Sequence, residues 1–244
     1  MARSGAAAVI IGNEVLTAKV HDQNGVLLTR RLREHGIALN RVLVVPDEVD
    51  AIVEAVSLAR RCARWVFTSG GVGPTHDDVT VRAVAMALGR VVVKMPEMEV
   101  LVRAHYGEKV TAEAMRLAEA PGGAELWFQD ALRYPVLACD EVFMLPGVPE
   151  LFRLQLEVVL ARLPRQRIAT AALYLSLVEA EIAAALDQVA LAMPQVAIGS
   201  YPTFDKAADY RVKITVEHGE ATIVAEVIAR LERALPTGAV VRRE

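Results

Sequence analysis

The stretch Trp65-Val66-Phe67-Thr68-Ser69-Gly70-Gly71-Val72-Gly73-Pro74-Thr75-His76-Asp77-Asp78-Val79-Thr80 begins as an apolar run and turns through three glycines. It ends where a helical pattern opens, from Thr80 to Leu88, closed by Gly89, a favourable helix-terminating residue. The register is therefore strand, loop, helix. The same alternation precedes it: Ala7 to Ile11 reads as a strand, Gln23 to Glu34 as a helix, Val42 to Val45 as a strand and Ala51 to Arg61 as a helix. Strands alternating with helices at this spacing make βαβ crossovers, which build a parallel sheet covered on both faces. The continuous runs VLVV (42–45) and WVFT (65–68) fit strands buried on both sides.

Downstream, residues 96–120 are helical in tendency, with Pro96 suited to a first turn and Pro121-Gly122-Gly123 a stop. Val136 to Cys139 and Glu141 to Leu145 read as paired strands, and Pro146-Gly147-Val148-Pro149 leads into a helix from Glu150 to Leu163. From Arg167 onward the pattern is strand to Leu177, helix 179–192, strands 196–201 and 210–217, helix 220–235 and strand 239–242. That order, βαββαβ, is the ferredoxin-like arrangement, which buries a two-layer core of its own. The expectation is an α/β protein of two domains, a sheet domain over 1–165 and a small α+β domain over 166–244, with no internal repeat.

Composition bounds the function. The 244 residues are 54% hydrophobic and 23% charged, far from the composition of disordered chains. A formal charge of -3 supplies no global positive field for a nucleic-acid backbone or an anionic membrane, so neither partner is expected. Cys62 and Cys139 belong to no metal or redox cluster and read as buried small hydrophobes in a reducing compartment. The apolar run from Ala6 to Ile11 stops at Asn13 and Glu14, too short for a signal peptide, and no run approaches the roughly 18 apolar residues of a membrane span. A cytoplasmic location is expected.

Three glycines after a buried strand bring backbone amides close to a ligand, and the following helix adds the positive end of its dipole. The loop therefore suits an anion, with the amides of Gly70, Gly71 and Gly73 as donors. It lacks the Gly-Lys-Ser/Thr of a Walker A loop, the third glycine of a GxGxxG fingerprint and the flanking glycines of a nucleophile elbow around Ser69. Asp77 and Asp78 at its end have two readings. Either one of them, with Thr80, caps the helix, or they hold a divalent metal, Mg²⁺, Mn²⁺ or Co²⁺, without which two carboxylates would repel a phosphate. His76 is either a ligand and proton shuttle or a solvated loop residue.

Ligands of open α/β sheets bind beyond the carboxyl ends of the strands. Gly12-Asn13-Glu14, Pro46-Asp47-Glu48 and Leu145-Pro146-Gly147-Val148-Pro149-Glu150 end or follow strands and join the candidate site, as does Asn24 on the first helix. Asp47 stands equally where the next helix needs an N-cap, and Asn24 where any polar residue would serve. None of the four segments contains Lys or Arg, which leaves amides and a metal as the phosphate clamp.

Gly12-Asn13-Glu14 with Asp22-Gln23-Asn24, Val45 through Glu48, Gly70 through Thr80 and Leu145 through Glu150 together resemble the MoaB/Mog family, the molybdopterin-binding-like domain. The form it resembles is that of competence/damage-inducible protein A and of eukaryotic FAD synthase. Gly199-Ser200-Tyr201-Pro202 and Tyr210 through Val216 are similar to the small domain that follows there.

The resemblance implies a three-layer α/β/α fold with a pterin- or nucleotide-phosphate site, and a homo-oligomer. It places Asp47 and Asp78 at acidic positions tied to adenylyl transfer onto molybdopterin, and Gly70 to Thr75 around the phosphate. In the two variant forms it implies metal-dependent cleavage of a dinucleotide diphosphate such as FAD or ADP-ribose. These residues hold neither the domain that makes FAD nor the amidohydrolase domain, so neither of those activities is expected.

The expected site is then Asp78, Asp77 and Asp47 as catalytic residues, with Asp77 and Asp78 on the metal. Gly12, Glu14, Asn24, Ser69, Gly70, Gly71, Gly73, Thr75, Thr80, Pro146, Gly147, Pro149 and Glu150 contact the nucleotide or pterin. The leading expectation is hydrolysis of a nucleotide diphosphate; adenylyl transfer in molybdenum cofactor assembly and a non-catalytic binding module are the alternatives.

Overall fold

The structure is a computed structural model that describes residues 4–130 and 132–244. It divides into two compact units, one ending at Arg165 and one running from Gln166 to Glu244.

The first unit contains, in chain order, β1 (Ala6–Ile11), α1 (Asn13–Leu16), α2 (Gln23–His35), β2 (Leu39–Val45), α3 (Val49–Cys62), β3 (Trp65–Ser69), α4 (Thr80–Ala87), β4 (Val92–Lys94), α5 (Pro96–Tyr106), β5 (Glu119–Pro121), β6 (Glu125–Trp127), β7 (Val136–Cys139), β8 (Val142–Leu145) and α6 (Pro149–Leu160). Its main sheet has the order β2-β1-β3-β8-β7-β6. The first four strands are parallel, and β7 and β6 continue antiparallel. Every residue of β1 and β3 is buried, because helices cover both faces. One core packs Leu28, Leu32, Phe152 and Leu156 of α2 and α6 on Ala8, Ile10, Phe67 and Phe143. The other packs Ile52, Val56, Ala83 and Val84 of α3 and α4 on Val9, Ile11, Val66 and Met144. The result is the three-layer α/β/α arrangement.

Local chemistry explains the helix limits. Asp22 caps α2 by accepting from the Gly25 amide at 2.8 Å, and Gly36, at φ 81, ends it in the left-handed conformation. Pro96 and Pro149 open α5 and α6 at first-turn positions, where a missing N–H costs nothing. The β7–β8 hairpin turns on Asp140 and Glu141, both at positive φ, conformations that L residues adopt at a cost. Arg90 and Arg64 hold these two carboxylates, at 3.1 and 2.7 Å.

Three expectations need correction. The run VLVV is not buried on both sides: β2 is the edge strand, and Val42 and Val44 are 47% and 40% exposed. Residues 96–120 are helical only to Tyr106; Gly107 at φ 55 breaks the helix, two 3₁₀ turns follow, and 119–121 form β5 against β4. Cys139 is buried as expected, but Cys62, in the last turn of α3, is only half-buried.

The second unit contains β9 (Ala169–Leu175), α7 (Glu179–Ala192), β10 (Ala197–Pro202), β11 (Val212–His218), α8 (Ala221–Ala234) and β12 (Val240–Arg243). Its antiparallel sheet has the order β10-β11-β9-β12, the split βαβ topology. Leu173, Leu175, Val212, Ile214 and Val216 of the sheet meet Ile182, Val224, Val227 and Leu231 of α7 and α8 in one apolar core. No helix among the described residues is long and apolar enough to cross a membrane.

Candidate functional site

The carboxyl ends of β1, β2, β3 and β8 lie side by side, so the segments that follow them converge. Gly70, at φ 104, turns the chain out of β3, and its amide donates to the Leu145 carbonyl at 3.1 Å. A methyl group there would lie 2.2 Å from the Ile11 carbonyl oxygen, so only glycine fits. Gly71, at φ 65, lies against Thr80 in the same way, its added methyl 2.3 Å from Oγ1. Thr80 is fully buried; its amide donates to the Gly71 carbonyl at 2.9 Å and its hydroxyl to the Gly70 carbonyl at 2.8 Å. The loop is thus fastened to the start of α4.

The carboxylates are held by other means than helix capping. The N-cap of α4 is Val79, and no side chain caps it. Asp77 and Asp78 instead converge on one hydroxyl, Thr75 Oγ1, at 2.6 Å from Asp77 Oδ1 and 2.5 Å from Asp78 Oδ2. A single hydroxyl proton serves one acceptor at a time. The Thr75 amide adds a bond to Asp78 Oδ2 at 2.8 Å. The Thr75 hydrogen bond, more than the neighbouring His76, keeps the Asp77 carboxyl below its ordinary range. The His76 side chain is 95% exposed, 3.7 Å from Asp77, and reads as the solvated loop residue.

Asp47 does not cap α3, whose N-cap is Glu48. Its Oδ2 reaches across to accept from the Asn13 amide at 2.8 Å, at the head of α1. Asn24 is more than an ordinary helix residue. It is 6% exposed, and its amide donates to Ser69 Oγ at 2.9 Å and the Gly147 carbonyl at 2.7 Å, tying three motifs together. Its Oδ1 is buried without a partner among the described residues.

A cavity of about 510 Å³ opens over this edge. Glu14, Asp47, Gly70, Gly71, Gly73, Asp77, Asp78, Pro146 and Gly147 line it. Asn24, Ser69 and Pro149, with Glu14 and Gly147, line a smaller pocket of about 80 Å³. Gly12, Thr75, Thr80 and Glu150 line neither. Gly12 accommodates the Glu14 carboxylate, which lies 2.5 Å from where a methyl would be; Thr75 and Thr80 act by bonding loop groups; Glu150 is exposed in the first turn of α6.

Two features lay outside the sequence motifs. Arg116, from a 3₁₀ turn, brings a guanidinium to 3.5 Å from the Thr75 carbonyl, so the loop does have a cation beside it. Met98, Leu117, Tyr134, Leu137, Met144, Leu151 and Gln155 add to the cavity wall from α5, the 3₁₀ turn, the segment before β7, β7 itself, β8 and α6. Nothing local in the sequence separates these from core residues. Among the described residues no three His, Cys, Asp or Glu side chains gather as a metal centre.

Comparison with known proteins agrees with this fold. Residues 7–165 match the family described as a probable molybdopterin binding domain, and residues 167–244 match the middle domain of FAD synthase. A protein of Archaeoglobus fulgidus is 31% identical over 80% of this chain and 84% of its own length. A probable FAD synthase of Caenorhabditis elegans is 30% identical over 96% of this chain, which spans 50% of that protein. Among solved structures, the protein CinA of Thermoplasma acidophilum, described as of unknown function, superposes with a TM-score of 0.61 at 28% identity, covering 64% of this chain and 96% of its own. The chain therefore belongs to the molybdopterin-binding domain family, in the MoaB/Mog-like form that is followed by an FAD synthase middle domain.

Proposed function

We propose that the protein hydrolyses the diphosphate linkage of a nucleotide, of the FAD or ADP-ribose type, with a divalent metal. The observation that carries this reading is the pairing, in one cavity, of a glycine loop with Asp77 and Asp78 converging on Thr75, and Asp47 held nearby. The donor set is all oxygen and offers two adjacent carboxylates rather than a closed cage. That suits Mg²⁺ or Mn²⁺ carried in on a diphosphate, since such ions are held by one or two carboxylates plus substrate oxygens. Asp77 and Asp78 would hold the metal, whose chemistry is to neutralise charge on the phosphoryl oxygens.

The residues of the chain do the rest. Because the Gly70 amide is committed to Leu145, the loop donors for the phosphate are Gly71 and Gly73, aided by the N-terminus of α4. Arg116 adds positive charge from the rim. Asp47, fixed through Oδ2 by Asn13, orients the attacking water with its other oxygen. Water adds to one phosphorus, the bridging P–O bond breaks, and two monophosphates leave with the released proton.

The test is incubation with FAD, ADP-ribose and coenzyme A, each with Mg²⁺, Mn²⁺ or Co²⁺, with products separated by chromatography. The expected result is metal-dependent AMP or adenosine bisphosphate release that Asp78→Asn abolishes. Full turnover by Asp78→Asn removes the role assignment. No product, with a ligand-dependent rise in melting temperature, replaces hydrolysis with binding alone.

A further inference from the structure

The two edges of the main sheet differ in kind. β6 offers three residues, too few to template another strand. β2 offers seven, Leu39–Val45, with no proline, glycine or lysine among them, and Val42 and Val44 are exposed on it. In the second unit β10 ends on Pro202, and β12 is four residues with two arginines, which are the usual protections of an edge. β2 has none of these except a bulge at its start. Ala6 is opposite Leu39 and Ala7 opposite Arg41, so Asn40 is the extra residue, and its side chain donates to the Ser4 and Cys62 carbonyls at 2.8 and 2.9 Å. From Arg41 to Val45 the ladder is regular, and the Val45 carbonyl accepts from the Gly12 amide on the β1 side at 3.1 Å. Peptide groups alternate in direction along a strand, so those of Val42 and Val44 point away from β1. The regular stretch is centred on Leu43.

We propose that a second copy of this chain adds to β2, antiparallel, about a two-fold axis at Leu43, and that this brings Arg41 of the partner subunit beside Asp47. Such an interface uses the same patch twice and must be self-complementary. In this register Val42 of each copy pairs with Val44 of the other in the hydrogen-bonded arrangement, so the outward peptide groups satisfy one another and the exposed valines leave water together. The strand has its cation, Arg41, at one end and Asp47 and Glu48 just beyond the other, so it matches itself in charge only when reversed. Each exposed Arg41 faces Val45 across the pair and lies diagonal to Asp47, roughly 7–8 Å away and within reach of a long side chain. The two six-stranded sheets then run on as one. Asp47 lines the cavity, whose own segments after β1, β2, β3 and β8 hold no Lys or Arg, so each site receives a cation from the neighbouring copy.

The role of Arg41 rests on reading the cavity as a phosphate site; the pairing does not. Val42→Cys and Val44→Cys, both at exposed positions, are prepared separately and oxidised, with the wild-type protein as the control for Cys62 and Cys139. With the axis at Leu43 neither variant crosslinks to itself, and their equimolar mixture gives a covalent dimer on non-reducing gels, because paired positions lie about 5.5 Å apart, within disulfide range. Self-crosslinking of either variant moves the axis by one residue and overturns the placement of Arg41. No crosslink in any combination, or a wild-type light-scattering mass of one chain, overturns the pairing. Inorganic diphosphate with Mg²⁺, titrated by calorimetry where light scattering gives two chains, is expected to bind Arg41→Ala several-fold more weakly than wild type. Equal affinity removes Arg41 from the site and leaves the interface standing. Absence of diphosphate binding to the wild-type protein, with the mixed crosslink intact, overturns the phosphate reading and keeps the interface.

Discussion

Replacing Gly70 by alanine tests whether the glycine loop is fastened to the sheet as described. The added methyl would lie 2.2 Å from the Ile11 carbonyl oxygen, 0.8 Å inside the 3.0 Å limit that real contacts respect. The residue also sits at φ 104, outside the range side chains favour. Left-handed backbone alone costs alanine about 1–2 kcal/mol. Relieving the contact must move the end of β1 or the loop, which stretches the Gly70 amide bond to Leu145 and exposes a buried group to a loss of about 1–3 kcal/mol.

The total, about 2–5 kcal/mol, corresponds to a fall of roughly 4–20 °C in melting temperature for a unit of this size. Gly89→Ala is the control: its φ is 65, but nothing lies within 4 Å of the added methyl, so it loses only the backbone part. Trp65 and Trp127, the chain's two tryptophans, both lie in the first unit, so intrinsic fluorescence reads that unit alone during thermal unfolding. Equal melting temperatures for Gly70→Ala and Gly89→Ala would refute the close approach of the loop to Ile11.

Two further outcomes follow from the same structure. Burial, assisted by Asp140, raises the Cys139 thiol above its ordinary 9.0. The folded state therefore holds this proton more tightly than the unfolded chain, so the contribution is complete below pH 9 and is lost as pH rises through the folded value. Urea unfolding between pH 8.5 and 10 should show declining stability, with a slope up to about 1.4 kcal/mol per pH unit from one such group; Cys139→Ala should flatten the slope although it lowers stability throughout, and an unchanged slope would contradict the assignment. Arg116→Ala should weaken ribose 5-phosphate binding by about tenfold at low salt and less at high salt, as expected for an exposed cation; an effect independent of ionic strength would mean that Arg116 acts by packing.

The fold was legible where one residue pattern repeats over a full element. β1 and β3 are uninterrupted apolar runs, and α2 carries its own cap and terminator in Asp22 and Gly36. β4, β5 and β6 are three residues each, too short to display a period, and 107–118 has helix-forming composition that Gly107 and tertiary packing override. The sequence could not show that β2 is an edge strand, because edge and centre differ in what lies beside a strand. At the site, the glycines and aspartates were visible as motifs. That Asp47 serves Asn13 and not its own helix, and that Asn24 is buried, depended on partners 34 and up to 123 residues away. Arg116 and the apolar wall come from segments with no distinguishing local chemistry.

Asn24 also sets a schedule for biosynthesis. Its two bonds run to Ser69 and to the Gly147 carbonyl, the latter 123 residues later in the chain. At roughly 5–20 residues per second, a ribosome needs about 6–25 s to add Gly147 after Asn24. β3 also waits for β8, since β8 pairs with it on the side away from β1. During that interval the glycine loop has neither its carbonyl partner at Leu145 nor the buried amide tie to Gly147. A nascent chain that has ended before β8 can have the motifs without the binding site, so ligand cannot trap or template its early half, and the site arrives only with the closing of the sheet.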